Sequence, residues 1–459
     1  MIKRVKFAII GAGTVGLTAL GIIRKQTENF VLIQDGPYGT TCARVGCMPS
    51  KALIHAANHF YHATHSDVFG VKGAEHLTLD QPHVMQRVRA FRDRFTGGVK
   101  QGTTDTLKSE QLIEGRAELV GPNLIEVNGQ RIEAERIIIG TGSRPAVPQA
   151  WQQVLGERLI TSDHIFELET LPKRIAVIGL GVIGLELGQA LARMGVEVTG
   201  FEATERIGGL QAPQTNSVAQ MILNADFKIH LGQAVDVETE GEQAVIVCGD
   251  QRVHVDKVLV SIGRRPNLDG LGLQSLGVTL DERGMPPFNP QTMQIADLQI
   301  FLAGDAANYR PILHEAGEEG RIATMNAIHY PNIESFRRKT PLGVTFTEPG
   351  LAFFGQRFFE INPENTAIAE FSLERNNGRA IVMGEDHGMI LLFADKSSRK
   401  LIGGELVMPQ AEHMAHLLNW VTELGLTVDQ ILDLPFYHPV LEEAVESALK
   451  ILRSELKTS

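Results

Sequence analysis

Strand-like runs of apolar residues, each ending in a cluster of glycines, occur at two places in the chain. The segment 5–33 reads in order as a buried strand, a glycine turn, a helix and a second strand, and the segment 175–201 repeats that order. This succession is typical of a βαβ unit, in which the two strands lie parallel in one sheet. The sequence therefore predicts two α/β domains of the same kind, each built on a parallel sheet.

The hydrophobic pattern changes beyond residue 340, where apolar and polar residues alternate as in an antiparallel sheet. Strands are predicted at 343–346, 366–372, 379–383, 389–394 and 400–407, and helices near 411–424, near 428–432 and after Pro439. Between the repeats, the pattern predicts mostly helices over 52–107 and short strands over 111–140. The predicted fold class is α/β, with two Rossmann-like dinucleotide-binding domains and a C-terminal α+β domain.

Length and composition fit a large soluble α/β protein. The 459 residues exceed what one hydrophobic core holds, and 43% hydrophobic residues with 46 glycines fit a chain rich in tight turns. The net charge of −11, without a long basic run, argues against a nucleic-acid partner. The longest uncharged apolar run, 175–185, is too short to span a bilayer, and the first residues lack a signal-peptide pattern. We therefore expect no membrane partner and a cytoplasmic location.

Each glycine turn has the spacing of a dinucleotide-binding fingerprint, G-x-G-x-x-G. The glycines are Gly11, Gly13 and Gly16 in the first repeat and Gly179, Gly181 and Gly184 in the second. Glycine permits a tight turn and lets a pyrophosphate approach the backbone N–H groups at the helix N-terminus. Two such turns, each inside a complete βαβ unit, predict two dinucleotide cofactors.

The residue that ends the second strand of each repeat indicates which dinucleotide binds. Glu202 lies 23 positions after Gly179, where a carboxylate can accept a hydrogen bond from the 2′-OH of an adenosine ribose. Because this carboxylate would repel a 2′-phosphate, NAD is preferred over NADP. At the same offset from Gly11 the first repeat has Gln34, followed by Asp35. An amide oxygen accepts a ribose hydrogen bond more weakly, so the first site is less regular.

Two of the three cysteines, Cys42 and Cys47, form a C-x4-C motif directly before a helical pattern. A thiolate is stabilised at a helix N-terminus, and Gly46 eases the turn that brings the two side chains together. In a reducing compartment a close cysteine pair is more often catalytic or metal-binding than structural. We interpret this pair as a redox-active disulfide, and Cys248, in a strand-like run, as a buried bystander.

A cycling disulfide needs a base for the proton of the incoming thiol, and histidine titrates nearest neutrality. Among 15 histidines, His438 has Glu443 five residues later, at the start of a helix, where a carboxylate could fix the imidazole tautomer. Spacing alone favours an ordinary surface histidine over a catalytic one. Four further histidines at helical spacing are interpreted as polar helix positions without a metal: His55, His59, His62 and His65.

Asp305 ends the apolar run 300–304 and precedes a helical pattern near 314–327. Such an aspartate could cap the helix N-terminus, and it could equally bind a hydroxyl group of a cofactor. The local pattern does not separate the two.

Motifs along the whole chain together resemble the flavoprotein pyridine nucleotide–disulfide oxidoreductases. They are the segments 39–42 and 46–51 around the two cysteines, both glycine fingerprints, Gly-Arg-Arg-Pro-Asn at 263–267, Ala-Gly-Asp at 303–305, Thr-Glu-Pro at 347–349 and Tyr-His-Pro at 437–439. Within this family the chain is most similar to the dihydrolipoamide dehydrogenases. Spacing alone favours an ordinary surface histidine at position 438, but the resemblance favours a catalytic one.

The resemblance implies a domain order and two cofactors. It implies an FAD-binding domain at 1–147, an NAD-binding domain at 148–266, a second part of the FAD-binding and central domain at 267–336, and a dimerisation domain at 340–459. The first fingerprint with Lys51, Ala117, Ser143 and Asp305 would hold FAD, and the second with Glu202, Val235 and Gly263 would hold NAD. Further expected cofactor-binding residues are Gln34, Asp35, Thr41, Thr141, Gly142, Val182, Ile183, Glu186, Arg264, Gly304 and Leu313.

The resemblance also implies how the reacting groups divide the work. Cys47 would be the thiol nearest the flavin, and Cys42 would exchange with the substrate. Lys51 and Glu186 would form an ion pair beside the flavin ring. A homodimer would bring His438, backed by Glu443, to the partner subunit's disulfide. The implied substrate is a small or protein-bound dithiol such as dihydrolipoamide, and a 2-oxo acid dehydrogenase complex is a possible host.

Alternatives to this assignment fit less well. A glutathione-reductase-like enzyme is disfavoured because Glu202 opposes NADP, and a mercuric-reductase-like enzyme because the tail 452–459 has no cysteine. A non-catalytic FAD-binding subunit of a multienzyme complex is opposed by the intact cysteine pair and by the intact His438 and Glu443. Several positions depart from the usual family residues, so we expect an altered substrate channel: Gln34, Thr40, Arg44, Phe353, Phe354, Val440 and Glu442.

Overall fold

The structure, a computed structural model, describes residues 2–458. The chain forms two compact units. The first combines the residues up to Pro49 with Arg87–Ala146 and Arg264–Arg338, and the second combines Ser50–Gln86, Val147–Gly263 and the chain from Lys339 onward. Each unit thus draws on segments far apart in sequence, and each contains one of the two glycine repeats.

The first unit is built on a seven-stranded sheet. Its strands in spatial order are Leu112–Glu114, Phe30–Gln34, Lys3–Ile10, Gln130–Ile139, Leu124–Val127 and Glu118–Gly121, and Ile300–Leu302 also pairs with Gln130–Ile139. The two strands of the first repeat are parallel, with Ile9 opposite Leu32, and both of these side chains are fully buried. Parallel sheets are covered on both faces, which is why these strands read as continuous apolar runs.

Two helices of the first unit pack against each other beside this sheet. The fingerprint helix Thr14–Ile23 contacts the helix Leu313–His329, and Gly320 lies so close that a Cβ there would be 3.1 Å from the Cα of Val15. A short antiparallel pair, Ser143–Pro145 with Arg264–Pro266, also belongs to this unit. The unit further contains the short helix Thr41–Val45.

The second unit contains the second repeat in a five-stranded parallel sheet. The strands in spatial order are Lys228–His230, Glu197–Phe201, Arg174–Ile178, Lys257–Val260 and Leu159–Ile160. The fingerprint helix is Val182–Arg193, and the short helices Gln149–Leu155 and Ser162–Ile165 and the helix Pro213–Leu223 belong to the same part of the chain. An antiparallel sheet is formed by Asp236–Glu240, Gln243–Cys248 and Gln251–Val255. Cys248 is buried there, at the end of its strand.

The C-terminal part of the second unit is an antiparallel sheet with helices on it. The strands in spatial order are Leu342–Thr345, Gly350–Gly355, Leu401–Met408, Met389–Asp395 and Thr366–Ser372. The helices are Ala411–Glu423, Val428–Leu432 and Glu442–Thr458, and their apolar faces join the strands in one buried core. Along the sequence, two long helices lie between the first and the second repeat, Cys47–Thr64 and Gln81–Gly102. No helix in residues 2–458 is long and apolar enough to cross a membrane.

Both predicted βαβ units are confirmed, but one predicted strand is wrong. Residues 379–383, predicted as a strand, belong to the helix Gly378–Met383. The Asn377 side chain caps it by accepting a hydrogen bond from the N–H of Ala380 at 2.9 Å, and Gly384 ends it with a φ of 72°. A run this short does not separate the helical period from the strand period. The strand Gly350–Gly355 is absent from the predicted set, because glycines at both ends mask its apolar centre.

Candidate active site and cofactor sites

The first glycine turn has the close backbone packing of a dinucleotide site. Gly11 has a φ of 102°, and a Cβ there would lie 2.4 Å from the carbonyl oxygen of Gly140. A Cβ on Gly16 would lie 1.8 Å from the carbonyl oxygen of Gly11. Gly13 precedes the helix Thr14–Ile23, and no side chain among residues 2–458 caps that helix. Its first N–H groups are therefore available to a pyrophosphate.

Two side chains near this turn support the fit of a dinucleotide. The Thr141 hydroxyl is buried, and no described residue hydrogen-bonds it. Buried hydroxyls are rarely left unpaired in a finished structure, so a polar group of a ligand would complete this one. At the strand end, Gln34 Oε1 accepts a hydrogen bond from the N–H of Ala12 at 2.6 Å. The residues present thus fit a dinucleotide such as FAD.

The second glycine turn repeats this geometry. Gly179 has a φ of 92°, and a Cβ there would lie 2.6 Å from the carbonyl oxygen of Ser261. A Cβ on Gly184 would lie 1.9 Å from the carbonyl oxygen of Gly179. Gly181 precedes the helix Val182–Arg193, which no side chain of the described residues caps, and a Cβ on Gly181 would meet no described atom within 4 Å. This turn also leaves helix N–H groups and space for a pyrophosphate.

Glu202 ends the second strand of the second repeat and faces the glycine turn. Its Oε2 accepts a hydrogen bond from the N–H of Leu180 at 2.9 Å, and its Oε1 accepts one from the N–H of Thr204 at 3.1 Å. These bonds fix the carboxylate at the position where the fingerprint places a ribose. The Thr204 hydroxyl also donates to Oε1 at 3.1 Å, so Oε2 is the oxygen that keeps a lone pair for a ribose hydroxyl. The negative charge opposes a 2′-phosphate.

Asp305 lies in a short 3-10 turn, Gly304–Ala306, and its side chain is tied to the 143–145 strand. Asp305 Oδ2 accepts a hydrogen bond from the Ser143 hydroxyl at 2.6 Å, and Arg264 Nε donates to the Ser143 oxygen at 2.7 Å. The following helix begins only at Leu313, with Ile312 before it. The helix-capping alternative for Asp305 is therefore wrong. Its carboxylate, held by a neutral hydroxyl, keeps acceptor capacity for a ligand.

The cysteine motif folds as a short helix, a sharp break and a long helix. Thr40 has a φ of 61°, and its hydroxyl accepts a hydrogen bond from the N–H of Ala43 at 3.2 Å, which caps the short helix Thr41–Val45. The break is at Gly46, where a Cβ would lie 3.2 Å from the Cα of Cys42. A side chain at position 46 would crowd the backbone of Thr41 and Cys42, so glycine suits this break.

The two cysteines differ in exposure and in position. Cys42 is half-buried within the short helix, and Cys47 is exposed at the first residue of the helix Cys47–Thr64. The N-terminal end of a helix carries partial positive charge, which stabilises a thiolate. The structure therefore gives Cys47 the environment that favours the charged form.

Lys51, Glu186 and Phe346 form a compact group in the second unit. Lys51 Nζ lies 2.7 Å from Glu186 Oε2, and the Glu186 side chain is only 4% exposed. The ring of Phe346 covers the ammonium group, with 4.4 Å from Nζ to the ring centre, and the Phe346 N–H donates to Glu186 Oε1 at 2.9 Å. Phe346 is missing from the predicted site, because no local pattern marks a residue that acts on a partner 160 positions away.

His438 and Glu443 meet at the start of the last helix. His438 Nδ1 lies 2.8 Å from Glu443 Oε1, and the other carboxylate oxygen accepts a hydrogen bond from the N–H of Val440 at 3.1 Å. The hydrogen bond from His438, with the one from Val440, lowers the pKa of Glu443 below its ordinary value. An ionised carboxylate only accepts, so Nδ1 carries the proton and Nε2 is the basic nitrogen. The His438 side chain is 80% exposed, which leaves Nε2 accessible.

The remaining predicted cofactor residues lie in loops or at the starts of helices and strands. Ala117 and Val235 are buried directly before strands, Gly142 and Gly263 have φ values of 69° and 117°, and Thr41, Asp35 and Leu313 are exposed. Val182 and Ile183 begin the second fingerprint helix. Among residues 2–458, no group of three or more histidine, cysteine or acidic side chains is arranged to hold a metal ion.

Comparison with known proteins identifies the family. Residues 5–322 match the model of the pyridine nucleotide-disulphide oxidoreductases, and residues 342–449 match that family's dimerisation domain. The chain therefore belongs to the pyridine nucleotide–disulphide oxidoreductase family. Curated relatives named dihydrolipoyl dehydrogenase include those of Thermus scotoductus, 30% identical over 99% of this chain and 98% of theirs, and Bacillus subtilis, 31% identical over 96% and 95%.

Solved structures share the fold. An HOCl-induced flavoprotein disulfide reductase from Escherichia coli aligns with a TM-score of 0.83 at 22% identity, covering 97% of this chain and 99% of that one. LpdA from Mycobacterium tuberculosis aligns with a TM-score of 0.83 at 23% identity, covering 98% and 99%. The predicted fold class is confirmed.

Membership of the pyridine nucleotide–disulphide oxidoreductases establishes the reaction class. The chain is an oxidoreductase that couples a disulfide to a pyridine nucleotide, and the prediction of an enzyme is confirmed. Members of the family use FAD and NAD, so the two predicted cofactors are confirmed at this level. The matched dimerisation domain supports the predicted homodimer. The roles of individual site residues and the four domain boundaries stay predictions.

Proposed function

We propose that this chain is a dihydrolipoyl dehydrogenase, which oxidises dihydrolipoamide to lipoamide with NAD as the acceptor. Curated relatives with that name match nearly its whole length. The observation that carries the proposal is the His438–Glu443 pair, with 2.8 Å between Nδ1 and Oε1. Oxidation of a dithiol requires a base that removes its proton, and this pair presents an oriented one.

In the proposed reaction His438 Nε2 takes the proton of a substrate thiol. Glu443 keeps the proton on Nδ1 and stabilises the imidazolium that forms. The substrate thiolate then attacks Cys42, and Cys47 leaves as a thiolate favoured by its helix N-terminus. The second substrate thiol displaces Cys42, so the substrate becomes a disulfide and both cysteines carry the electron pair as thiols or thiolates. FAD, when bound, would supply the redox chemistry that passes this electron pair on to NAD.

The cofactor assignments follow the two glycine turns. We assign residues 1–147 and 267–336 to FAD, and residues 148–266 to NAD, with the remaining 340–459 as the dimerisation domain. The Glu202 carboxylate, held by the N–H of Leu180, supports NAD over NADP. The Lys51–Glu186 pair, capped by the Phe346 ring, would hold a fixed positive charge beside the flavin ring.

The proposal also covers the oligomeric state, the physiological form of the substrate and the cellular location. His438 of one subunit would serve the cysteine pair of its partner, which the dimerisation-domain match supports. Protein-bound lipoamide, within a 2-oxo acid dehydrogenase complex, is the proposed physiological form of the substrate. A cytoplasmic location is proposed because a reducing compartment keeps an exposed cysteine pair available for catalysis.

A steady-state comparison of substrates tests the function. We expect turnover of dihydrolipoamide with NAD, and none of comparable rate with glutathione disulfide or Hg(II) and either NADH or NADPH. Faster reduction of glutathione disulfide, or comparable rates with NADPH, would contradict the assignment. A purified protein without flavin absorbance would contradict the enzyme as a whole.

The dyad has a matched control within the chain. His438→Gln is expected to lower kcat by about a hundredfold to ten-thousandfold, the contribution of a positioned base. His254 forms a similar pair, with Nε2 2.9 Å from Glu240 Oε2 on an antiparallel sheet. His254→Gln should leave kcat unchanged. Equal losses in both variants would show that the effect is not specific to His438.

A further inference from the structure

A fully buried carboxylate, that of Glu319, lies behind the turn that carries Asp305. Glu319 is on the helix Leu313–His329, and its side chain is 0% exposed. Its Oε2 accepts a hydrogen bond from the N–H of Gly304 at 2.7 Å. A charged acceptor makes a strong bond to a backbone N–H, so this contact fixes the Ala303–Gly304 peptide, at the start of the turn that carries Asp305.

The second oxygen of Glu319 is held by a buried arginine. Arg338 donates to Glu319 Oε1 at 2.9 Å, and its side chain is 8% exposed. Arg338 also pairs with Glu315, which in turn lies 3.1 Å from Arg310. Burial raises the pKa of Glu319, while the Arg338 and Gly304 hydrogen bonds oppose that rise by favouring the charged form. Two arginines thus balance two buried carboxylates, and the charge on Glu319 is compensated.

The turn at Gly304 has little freedom to find another arrangement. Gly304 has a φ of 70°, and a Cβ there would lie 2.6 Å from Val15 Cγ2, on the fingerprint helix. Glu319 is followed by Gly320, which itself packs against Val15. One helix therefore holds both the fingerprint helix and the Asp305 turn, and Glu319 provides the polar part of that connection.

We propose that Glu319, oriented by Arg338, is a positioning residue for FAD, which fixes the Gly304 peptide so that Asp305 and Ser143 present their oxygens to the cofactor. The proposal rests on the FAD assignment of the first unit. Neither Glu319 nor Arg338 belongs to a sequence motif that predicts a cofactor contact. They act through Gly304, with Asp305 Oδ2 already set 2.6 Å from the Ser143 oxygen.

The test measures FAD affinity and requires no turnover. Purified holoprotein is diluted, and released FAD is read from its fluorescence to obtain a dissociation constant. In Glu319→Gln, one amide oxygen faces two donors and the amide NH2 must face one of them, so the dissociation constant should rise at least about tenfold. The control is Glu318→Gln on the same helix, which removes an equal charge from an ion pair with Arg321 at 2.7 Å. It should change FAD affinity by less than about threefold.

A second-site variant separates positioning from general damage. In Glu319→Gln with Arg338→Gln, the arginine no longer competes for the amide oxygen, so the introduced amide can turn that oxygen to the Gly304 N–H and FAD affinity should partly recover. If Glu319→Gln does not fold, Glu319→Asp keeps the charge, shortens the reach to Gly304 and should weaken FAD binding. Unchanged affinity in the folded variant, or equal losses in Glu318→Gln, would overturn the proposal. Wild-type protein that binds no FAD would instead overturn the FAD assignment itself.

Discussion

The two dinucleotide turns of this chain share one backbone design but differ in the side chain that supports it. In each turn, the residue at the strand end accepts the N–H of the residue after the first glycine. Gln34 Oε1 accepts from Ala12 at 2.6 Å, and Glu202 Oε2 accepts from Leu180 at 2.9 Å. Both pairs are 22 residues apart. The amide and the carboxylate therefore perform the same local task.

The difference lies in the loop that follows each strand. After Glu202 the loop turns an N–H toward the side chain, since Thr204 donates to Oε1 at 3.1 Å. After Gln34 the loop turns carbonyl oxygens toward it, and Nε2 donates to those of Asp35 at 3.0 Å and Pro37 at 3.3 Å. Each side chain matches the polarity of its own loop. Gln34 is thus complementary to the loop that follows it.

The largest expected effect comes from replacing the third glycine of each turn by alanine, which should impair a different cofactor in each case. Gly16→Ala puts a Cβ 1.8 Å from the Gly11 carbonyl oxygen, and Gly184→Ala puts one 1.9 Å from that of Gly179. We expect Gly16→Ala to be purified without FAD, because the turn must open and the pyrophosphate loses its N–H donors. Gly184→Ala should keep FAD and lose NAD-dependent turnover by more than about a hundredfold. Absorbance of the bound flavin and NAD kinetics measure the two results.

The control for both variants is Gly21→Ala, at a helical position where a Cβ meets no described atom within 4 Å. Alanine favours helix there, so FAD content and turnover should be unchanged and stability slightly higher. If Gly184→Ala also lost FAD, the two turns would not be independent sites.

The local sequence pattern is sufficient to predict these two turns. Contacts between residues far apart in the sequence cannot be predicted in this way. The glycine spacing requires particular φ values and close approaches within a few residues, so Gly11 and Gly179 are identified by position alone. The same holds for Gln34 and Glu202, whose offset from the glycines follows from the length of a helix and a strand.

Phe346 and Glu319 show why other parts of the site escape prediction. Phe346 reaches Glu186 across 160 residues, and Glu319 reaches Gly304 only because its helix is packed beside that turn. In the sequence, a glutamate in a helix pattern or a phenylalanine in a strand pattern looks like any other residue of its type. Its partner is chosen by the packing of whole elements. The same limit explains the misassigned segment 379–383, whose helix depends on the Asn377 cap.

A smaller effect is expected when Glu202, at the strand end of the second repeat, is replaced by glutamine, the residue type of Gln34 in the first. In Glu202→Gln the amide has one acceptor oxygen for two N–H donors, from Leu180 and Thr204, and its NH2 must face one of them. We expect KM for NAD to rise about tenfold, and the preference for NADH over NADPH to fall about tenfold as the negative charge is removed. Initial rates with both coenzymes measure this. An unchanged preference would mean that another group excludes the 2′-phosphate.

The smallest effect, and the sharpest test of the comparison, is the reverse change at the first strand end. Gln34→Glu gives the first strand end the same residue type as Glu202, so the likeness of the two turns alone would suggest tighter FAD binding. The loop argues otherwise, because a carboxylate would face the carbonyl oxygens of Asp35 and Pro37, which now accept from the amide. We expect FAD to bind about threefold more weakly, because the hydrogen bonds to these two carbonyl oxygens are replaced by repulsion. Tighter binding, measured by FAD release on dilution, would mean that the loop can turn an N–H inward as it does after Glu202, and that loop polarity follows the side chain.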